Sequence, residues 1–422
     1  MIDEGVKVAI VHRVSRGEED NLAELRELCR TAGYEVVYEL RQVRPPHPEF
    51  NIGPSKVEEL RRIVRSMGVE KIVFENELKP VQEYNLAKAL KVPIITRTQL
   101  ILEIFSLHAS NLEAKLQIKL AELKYELSRA KEKVRLAKRG EQPGFHGLGA
   151  YEADVYYDEI HRRIVSINRK IEQIKKHMDL IRFERRKRGL PIVSLAGYTN
   201  AGKSTLFNAL TRERVRVDSQ LFTTLTPTTR VTRLDGKPVF LSDTVGFIKN
   251  LPTLLVEAFY ATLREIALSD LVLLVVDVSD PIHVLREKVE TSLRTLYSIG
   301  AHDTPILLVF NKVDLCGLEE AEEKIEELGL ELPHAAISAK QGWGLAGLQE
   351  KASKLLRGFV RVETALPYTG DAMRLISEIC QFSKVNLLDY GSERIRLDAE
   401  MPIPLAEKLR RRINNGYFKA FA

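Results

Sequence analysis

Gly197-Tyr198-Thr199-Asn200-Ala201-Gly202-Lys203-Ser204 reads G-x-x-x-x-G-K-S. It follows the apolar run Ile192 to Ala196 and precedes Thr205-Leu206-Phe207-Asn208-Ala209-Leu210, which has helical character. Strand, glycine loop and helix in that order make the pattern a phosphate cradle. The glycines let successive backbone N–H groups turn around a phosphate, and the helix N-terminus adds partial positive charge. Residues 197–205 are therefore candidates for nucleotide binding. Lys203 would reach the β- and γ-phosphates, and the Ser204 hydroxyl would hold Mg²⁺.

Three more motifs follow in order. Asp243-Thr244-Val245-Gly246 ends the strand-like run Pro238 to Ser242 and has the form D-x-x-G. It would put a carboxylate near Mg²⁺ and the Gly246 N–H near the γ-phosphate. Asn311-Lys312-Val313-Asp314 ends the run Ile306 to Phe310. A carboxylate at Asp314 can accept from both N1–H and the 2-amino group of guanine, a donor pair that adenine lacks. Ser338-Ala339-Lys340 would offer a backbone N–H to the guanine O6. Each short motif is weak alone; the ordered set implies a guanine-nucleotide-binding domain. Phe222-Thr223-Thr224-Leu225-Thr226-Pro227 lies where a first switch loop belongs, with Thr224 the expected second protein ligand to Mg²⁺. Phe247 stands where many GTPases carry a water-positioning glutamine, and its apolar ring is expected to pack against the sheet. Asn200, three residues before Lys203, resembles the asparagine with which some GTPases hold potassium, and that resemblance makes it a candidate potassium ligand; an Asn in a tight loop also commonly just hydrogen-bonds nearby backbone.

The chain has 422 residues, 44% of them apolar and 29% charged, as in soluble globular proteins of several domains. The run Leu271 to Val276 is far too short to span a membrane, and Met1 leads directly into a charged, strand-like segment with no leader pattern. Cys29, Cys316 and Cys380 are widely spaced and odd in number, so they read as reduced thiols. A cytoplasmic monomer is expected, part of it held on ribosomes or at a membrane surface.

Outward from the phosphate loop, four domains are expected. Residues 1–108 alternate strand-like runs at 6–11, 35–38 and 71–74 with helical spacing, as in an α/β unit. Within it, Gly53-Pro54-Ser55-Lys56 reads as a loop with Ser55 capping a helix. Residues 109–189 change period: Leu116, Leu120, Leu123, Leu127, Ala130, Val134 and Ala137 step by four and three. After the glycine-rich break at 140–149, Ile160, Ile164, Ile167, Ile171, Ile174, Met178 and Ile181 do the same. Two heptad helices joined by one loop predict an antiparallel coiled-coil hairpin. Residues 111–190 hold 20 Lys or Arg against 12 Asp or Glu, an excess above the +6 of the whole chain. That leaves open a solvated charged face or a basic arm for RNA. Residues 190–358 form the nucleotide domain, with Asp235-Gly236 as a hairpin turn. Residues 359–422 read as a small α+β domain.

The phosphate loop, Leu221 to Leu225, Asp243 to Ile248 and Leu251-Pro252 resemble the HflX family of ribosome-associated GTPases. Lys79 to Leu86, Arg97 to Phe105, Glu113 to Gln117 and Met401-Pro402-Ile403 extend the resemblance over nearly the whole chain. At 147–152 the chain reads Gly-Leu-Gly-Ala-Tyr-Glu where the family carries Gly-Glu-Thr-x-Leu-Glu. The resemblance implies GTP hydrolysis, binding to the large ribosomal subunit and its RNA, and a hairpin tip directed to the peptidyl-transferase centre. It also implies ribosome splitting or rescue. Ribosome assembly, RNA remodelling and nucleotide-gated binding stand as alternatives.

Overall fold

The computed structural model describes residues 5–17, 20–109, 111–138, 150–187, 189–211, 228–244, 246–247 and 266–414. Two compact units divide the chain, the first running to Ile174 and the second from Lys175.

In the first unit, β1 (Lys7–Val14), β2 (Glu35–Val43), β3 (Lys71–Phe74) and β4 (Ile94–Thr96) form a parallel sheet ordered β2-β1-β3-β4. Helices α1 (Leu22–Thr31), α2 (Pro54–Met67), α3 (Pro80–Leu90) and α4 (Arg97–His108) follow the strands in turn. Val8, Ala9, Ile10 and Val11 are all fully buried, as expected of a strand covered on both faces. The serine cap expected before α2 is corrected: Gly53 is the cap and Pro54 takes the first helical position. Proline suits that position because its missing N–H would have no partner inside the helix.

Helix α5 (Leu112–Lys138) has two buried faces where the heptad pattern gave one. Ile118 and Ala121 are buried, and the buried Arg129 donates to the Leu78 carbonyl at 2.9 Å and pairs with Glu83 of α3. Tyr125 Oη lies 3.2 Å from Thr96 Oγ1. The seam meets α6 (Ala150–Lys187): Leu123, Ile160 and Ile164 form a buried cluster, with Leu120, Leu127 and Ile167 against it. The glycine-rich tip at 140–149 lies outside the described residues.

Beyond the ends of β1 and β3 sits a buried ionic knot. Glu75 Oε1 accepts from Asn21 Nδ2 at 3.2 Å, and Glu75 Oε2 lies 3.5 Å from Arg97 Nε. Arg97 also donates to Glu24 at 3.0 Å.

The second unit holds a six-stranded sheet ordered β10-β9-β8-β5-β7-β6. Its strands are β5 (Ile192–Gly197), β6 (Thr228–Leu234), β7 (Lys237–Asp243), β8 (Leu271–Asp277), β9 (Ile306–Asn311) and β10 (His334–Ala336). All pairings are parallel except that of β6 with β7. The turn between those two is Asp235-Gly236, with φ 47° and 83°. Two successive positive φ values suit the right-handed twist of a two-residue hairpin. Helices α7 (Lys203–Thr211), α8 (Ile282–Ser298), α9 (Val313–Cys316), α10 (Leu318–Leu328) and α11 (Leu345–Leu355) connect the strands. An antiparallel sheet ordered β11-β13-β12 completes the unit, from β11 (Phe359–Pro367), β12 (Lys384–Tyr390) and β13 (Arg394–Pro402). Helices α12 (Gly370–Phe382) and α13 (Ile403–Asn414) bury Leu375, Ile379, Leu405 and Leu409 with Ile395, Leu397 and Met401 of β13. Among the described residues, no helix is long and apolar enough to cross a membrane.

Burial pushes the Glu75 carboxyl up to about 7; the Arg97 charge opposes that shift, while the carboxylates of Glu24 and Asp20 add to it. The unfolded value is 4.5, so the folded state favours the protonated form. That stability is complete below about pH 4.5 and is lost as the pH rises through about 7. The first unit should therefore lose up to roughly 3 kcal/mol between pH 5 and 8. Hydrogen exchange of the β1 and β3 amides in the full chain would show it, and Glu75→Gln should flatten the profile. An equal slope in parent and Glu75→Gln would place the titration elsewhere.

Candidate functional site

Every nucleotide motif that the structure describes stands at the carboxyl edge of the six-stranded sheet. The chain leaves β5 in one direction for β7 and β6, and then crosses to β8 on the other side. Ligands of open α/β sheets bind at such a switch point. The phosphate loop follows β5, Asp243 ends β7, Asp277 ends β8, Asn311 ends β9, and Ser338 stands two residues past β10.

The loop is shaped by close approach. Gly197 has φ 138°, and a Cβ there would stand 2.0 Å from the Val275 carbonyl oxygen. A Cβ on Gly202, at φ 91°, would stand 2.2 Å from Asn311 Nδ2. Asn200 is exposed at φ 62°, a left-handed backbone that Asn tolerates better than most residues, which accounts for its place at this bend. Tyr198, Thr199 and Ala201 are buried. The buried Lys203 Nζ donates to the carbonyls of Gly197 at 3.1 Å and Tyr198 at 2.8 Å. Ser204 Oγ donates to Asp243 Oδ2 at 2.9 Å, and Thr205 follows half-buried in α7. A hydroxyl and a carboxylate side by side are hard oxygen donors of the kind Mg²⁺ takes. Thr224 lies outside the described residues.

Gly246 packs against the loop, where a Cβ would meet Thr199 Cγ2 at 2.8 Å and Lys203 Nζ at 2.9 Å. Phe247 is buried, as its apolar ring suggested, and its backbone ties the two segments together. Its N–H donates to the Gly197 carbonyl at 2.9 Å, and its carbonyl accepts from Thr199 N–H at 2.8 Å.

Asn311 is a brace. Its Nδ2 donates to the Ala201 carbonyl at 2.9 Å and its Oδ1 accepts from the Ala339 N–H at 2.9 Å. One amide thus holds the phosphate loop to the Ser338-Ala339-Lys340 loop. Ser338 is fully buried, Lys340 is exposed, and Asp314 is half-buried in α9. Lys312 has φ 71° and its Nζ lies 2.6 Å from Asp277 Oδ2. Asp277 is a residue that motif reading missed. The signal for it was a carboxylate ending the apolar run Leu271 to Val276 at a sheet's carboxyl edge. Lys288 was missed too: its Nζ pairs with Asp280 at 2.6 Å and lies 5.5 Å from the centre of the Tyr198 ring.

Burial pushes the Lys203 ammonium down to about 8, and the Asp243 carboxylate opposes that shift. Phosphates seated on Nζ favour its charged form, so nucleotide binding above pH 8 must take up a proton. Calorimetric GDP titrations in buffers of different ionisation enthalpy should show uptake of well under half a proton at pH 7. At pH 8.5 the uptake should exceed half a proton. No uptake at either pH would mean that the amine is charged throughout.

Three family models match the chain. One described as a 50S ribosome-binding GTPase covers residues 192–312. One for a GTP-binding GTPase N-terminal region covers 19–106, and one for its middle region covers 108–185. GTPase HflX of Thermococcus kodakarensis is 41% identical over 92% of this chain and 90% of its own. GTPase HflX of Thermofilum pendens is 45% identical over 93% of each. A crystal structure of a GTP-binding protein from Sulfolobus solfataricus in complex with GDP is 28% identical, with a TM-score of 0.49, covering 83% of this chain and 98% of that one. With a phosphate loop, a D-x-x-G segment and the Ser338-Ala339-Lys340 loop braced around one sheet edge, and with relatives alike over nearly their full length, the chain belongs to the HflX family of GTPases and is a GTP-hydrolysing enzyme.

Proposed function

We propose that this GTPase acts on the large ribosomal subunit in the cytoplasm, splitting or rescuing ribosomes, with α5 and α6 as an antiparallel coiled-coil arm toward ribosomal RNA. The observation that carries the reading is the exposed side of α6. Arg162, Arg163, Arg169, Lys170 and Lys176 are exposed there, while Ile160, Ile164 and Ile171 are buried. Cationic side chains on a long helix suit a phosphate backbone. The similarity to a 50S ribosome-binding GTPase model supports the same partner.

The reaction is GTP + H₂O → GDP + phosphate. Catalysis of this transfer consists mainly of positioning and charge neutralisation. Lys203 brings a buried positive charge to the β- and γ-phosphates, and the Gly246 N–H would meet the γ-phosphate oxygens. Ser204 and Asp243, with Thr224, would hold Mg²⁺, which when bound neutralises charge on the phosphate oxygens. Asn200 stands at the loop's exposed bend, where a potassium ion would add further positive charge. The ring of Phe247 cannot orient a water, so turnover by the chain alone should be slow and the ribosome should accelerate it.

Asp314 is assigned to the guanine base. Asp314→Asn should lose ~1.5–3 kcal/mol of GTP affinity, roughly 10–150-fold, and gain affinity for xanthosine nucleotides. A competition titration with both nucleotides decides this, and unchanged GTP binding would refute the assignment.

Sucrose gradients with a non-hydrolysable GTP analogue test the partner. The chain should sediment with large subunits and shift intact ribosomes toward free subunits. Binding to assembly intermediates alone would favour an assembly role. Replacing Lys131, Lys133, Lys138 and Arg139 with Glu should weaken subunit binding and flatten its salt dependence, with nucleotide affinity unchanged. An unaltered salt slope would make the arm's charges a solvated face.

A further inference from the structure

Among the described residues, strand β6 has one hydrogen-bonded neighbour, β7, and so forms an edge of its sheet. Successive side chains of a strand point to opposite faces, and β6 uses two adjacent residues to hold two helices by their carboxyl ends. Thr232 Oγ1 donates to the Leu210 carbonyl at 2.6 Å, in the last turn of α7. That helix opens on Lys203 and Ser204. Arg233 donates to the carbonyls of Cys380, Gln381 and Ser383, each at 3.0 Å. These carbonyls lie at the end of α12, where a helix leaves acceptors unmatched and carries partial negative charge.

The turn of the hairpin adds two ion pairs to the same domain. Asp235 Oδ2 accepts from Lys384 Nζ at 2.7 Å. The buried Lys237 Nζ lies 2.9 Å from Glu400 Oε2 and donates to the Ser353 carbonyl at 3.1 Å. Gly236 leaves no slack, since a Cβ there would stand 3.0 Å from Lys384 Cγ. The β6–β7 register runs from Leu234↔Lys237 beside this contact to Thr228↔Asp243 at the other end. Seven residues of strand span roughly 20 Å. Asp243 at the far end accepts from Ser204 Oγ. One two-stranded rod therefore has its turn against the C-terminal domain and its open end in the phosphate site.

We propose that the β6–β7 hairpin couples the C-terminal domain to the bound nucleotide, with Arg233, Asp235 and Lys237 as positioning residues. A change at Asp243 between GDP and GTP shifts the rod, and the rod shifts the seat of α12 and β12. Such coupling is reciprocal, so whatever holds the C-terminal domain also sets the preference between the two nucleotides.

The test uses the full chain, with fluorescent GDP and a fluorescent non-hydrolysable GTP analogue. Arg233→Met should change the ratio of the two affinities at least about fivefold, the lower end of measured couplings. In the parent, hydrogen exchange over residues 380–384 should differ between the two nucleotides, and in Arg233→Met the difference should vanish. If Arg233→Met does not fold, Lys384→Gln, which removes a half-buried pair, reads the same ratio and the same amides. Affinity ratios within about twofold of the parent, with exchange over 380–384 indifferent to nucleotide, would overturn the proposal even where melting temperature falls. A static joint lowers stability without moving that ratio.

Discussion

Lys203 is an ammonium buried beneath its own loop, and the backbone around it is arranged to make that tolerable. An uncompensated buried charge costs far more than any single packing contact returns. Two carbonyls, those of Gly197 and Tyr198, accept from its Nζ, and the Asp243 carboxylate lies near enough to favour the charged form. For those carbonyls to point inward the loop must pass within contact of β8, which only glycine at 197 permits. The brace by Asn311 then needs glycine at 202. The phosphate loop thus depends on strands on both sides of it, and the order of the sheet follows from the need to bring β7, β8 and β9 to one edge.

In the first unit the buried charges do a different job. Arg129 joins α5 to the Leu78 carbonyl and to Glu83, and Arg97 joins α4 to Glu24 and Glu75. Removing one partner from such a pair leaves the other buried and uncompensated, so each pair fixes geometry at the expense of stability. The base of α5 is held to the sheet domain by directional contacts as well as by Ile118 and Ala121.

The nucleotide-binding half was legible because its motifs are covalent neighbours: each lies in a few consecutive residues at a strand end. The sheet edge gathers them, but their spacing had already stated the chemistry. Residues that act through distant partners were not legible. Asp277 meets Lys312 across 35 positions, and neither the motif around Lys312 nor the apolar run before Asp277 states that the two pair. The second buried face of α5 escaped for a related reason: Ile118 and Ala121 fall between the heptad leucines, so a seam was visible and a second contact was not. At α2, proline at the first helical turn was stronger than the serine beside it, because a fixed φ and a missing donor decide a helix start before a hydroxyl can.

The six-stranded sheet has two edges of loops, and the chain uses them unequally. The carboxyl edge takes all the described nucleotide motifs, because parallel strands feeding helix N-termini concentrate backbone N–H groups there. The amino edge has no such field to offer an anion. It offers hairpin turns and helix carboxyl ends, which attract cations. Arg233 and Lys237 meet two of those ends, at α12 and at the Ser353 carbonyl of α11. The polarity of the sheet, set by strand direction alone, therefore decides which side does chemistry and which side carries the appended domain.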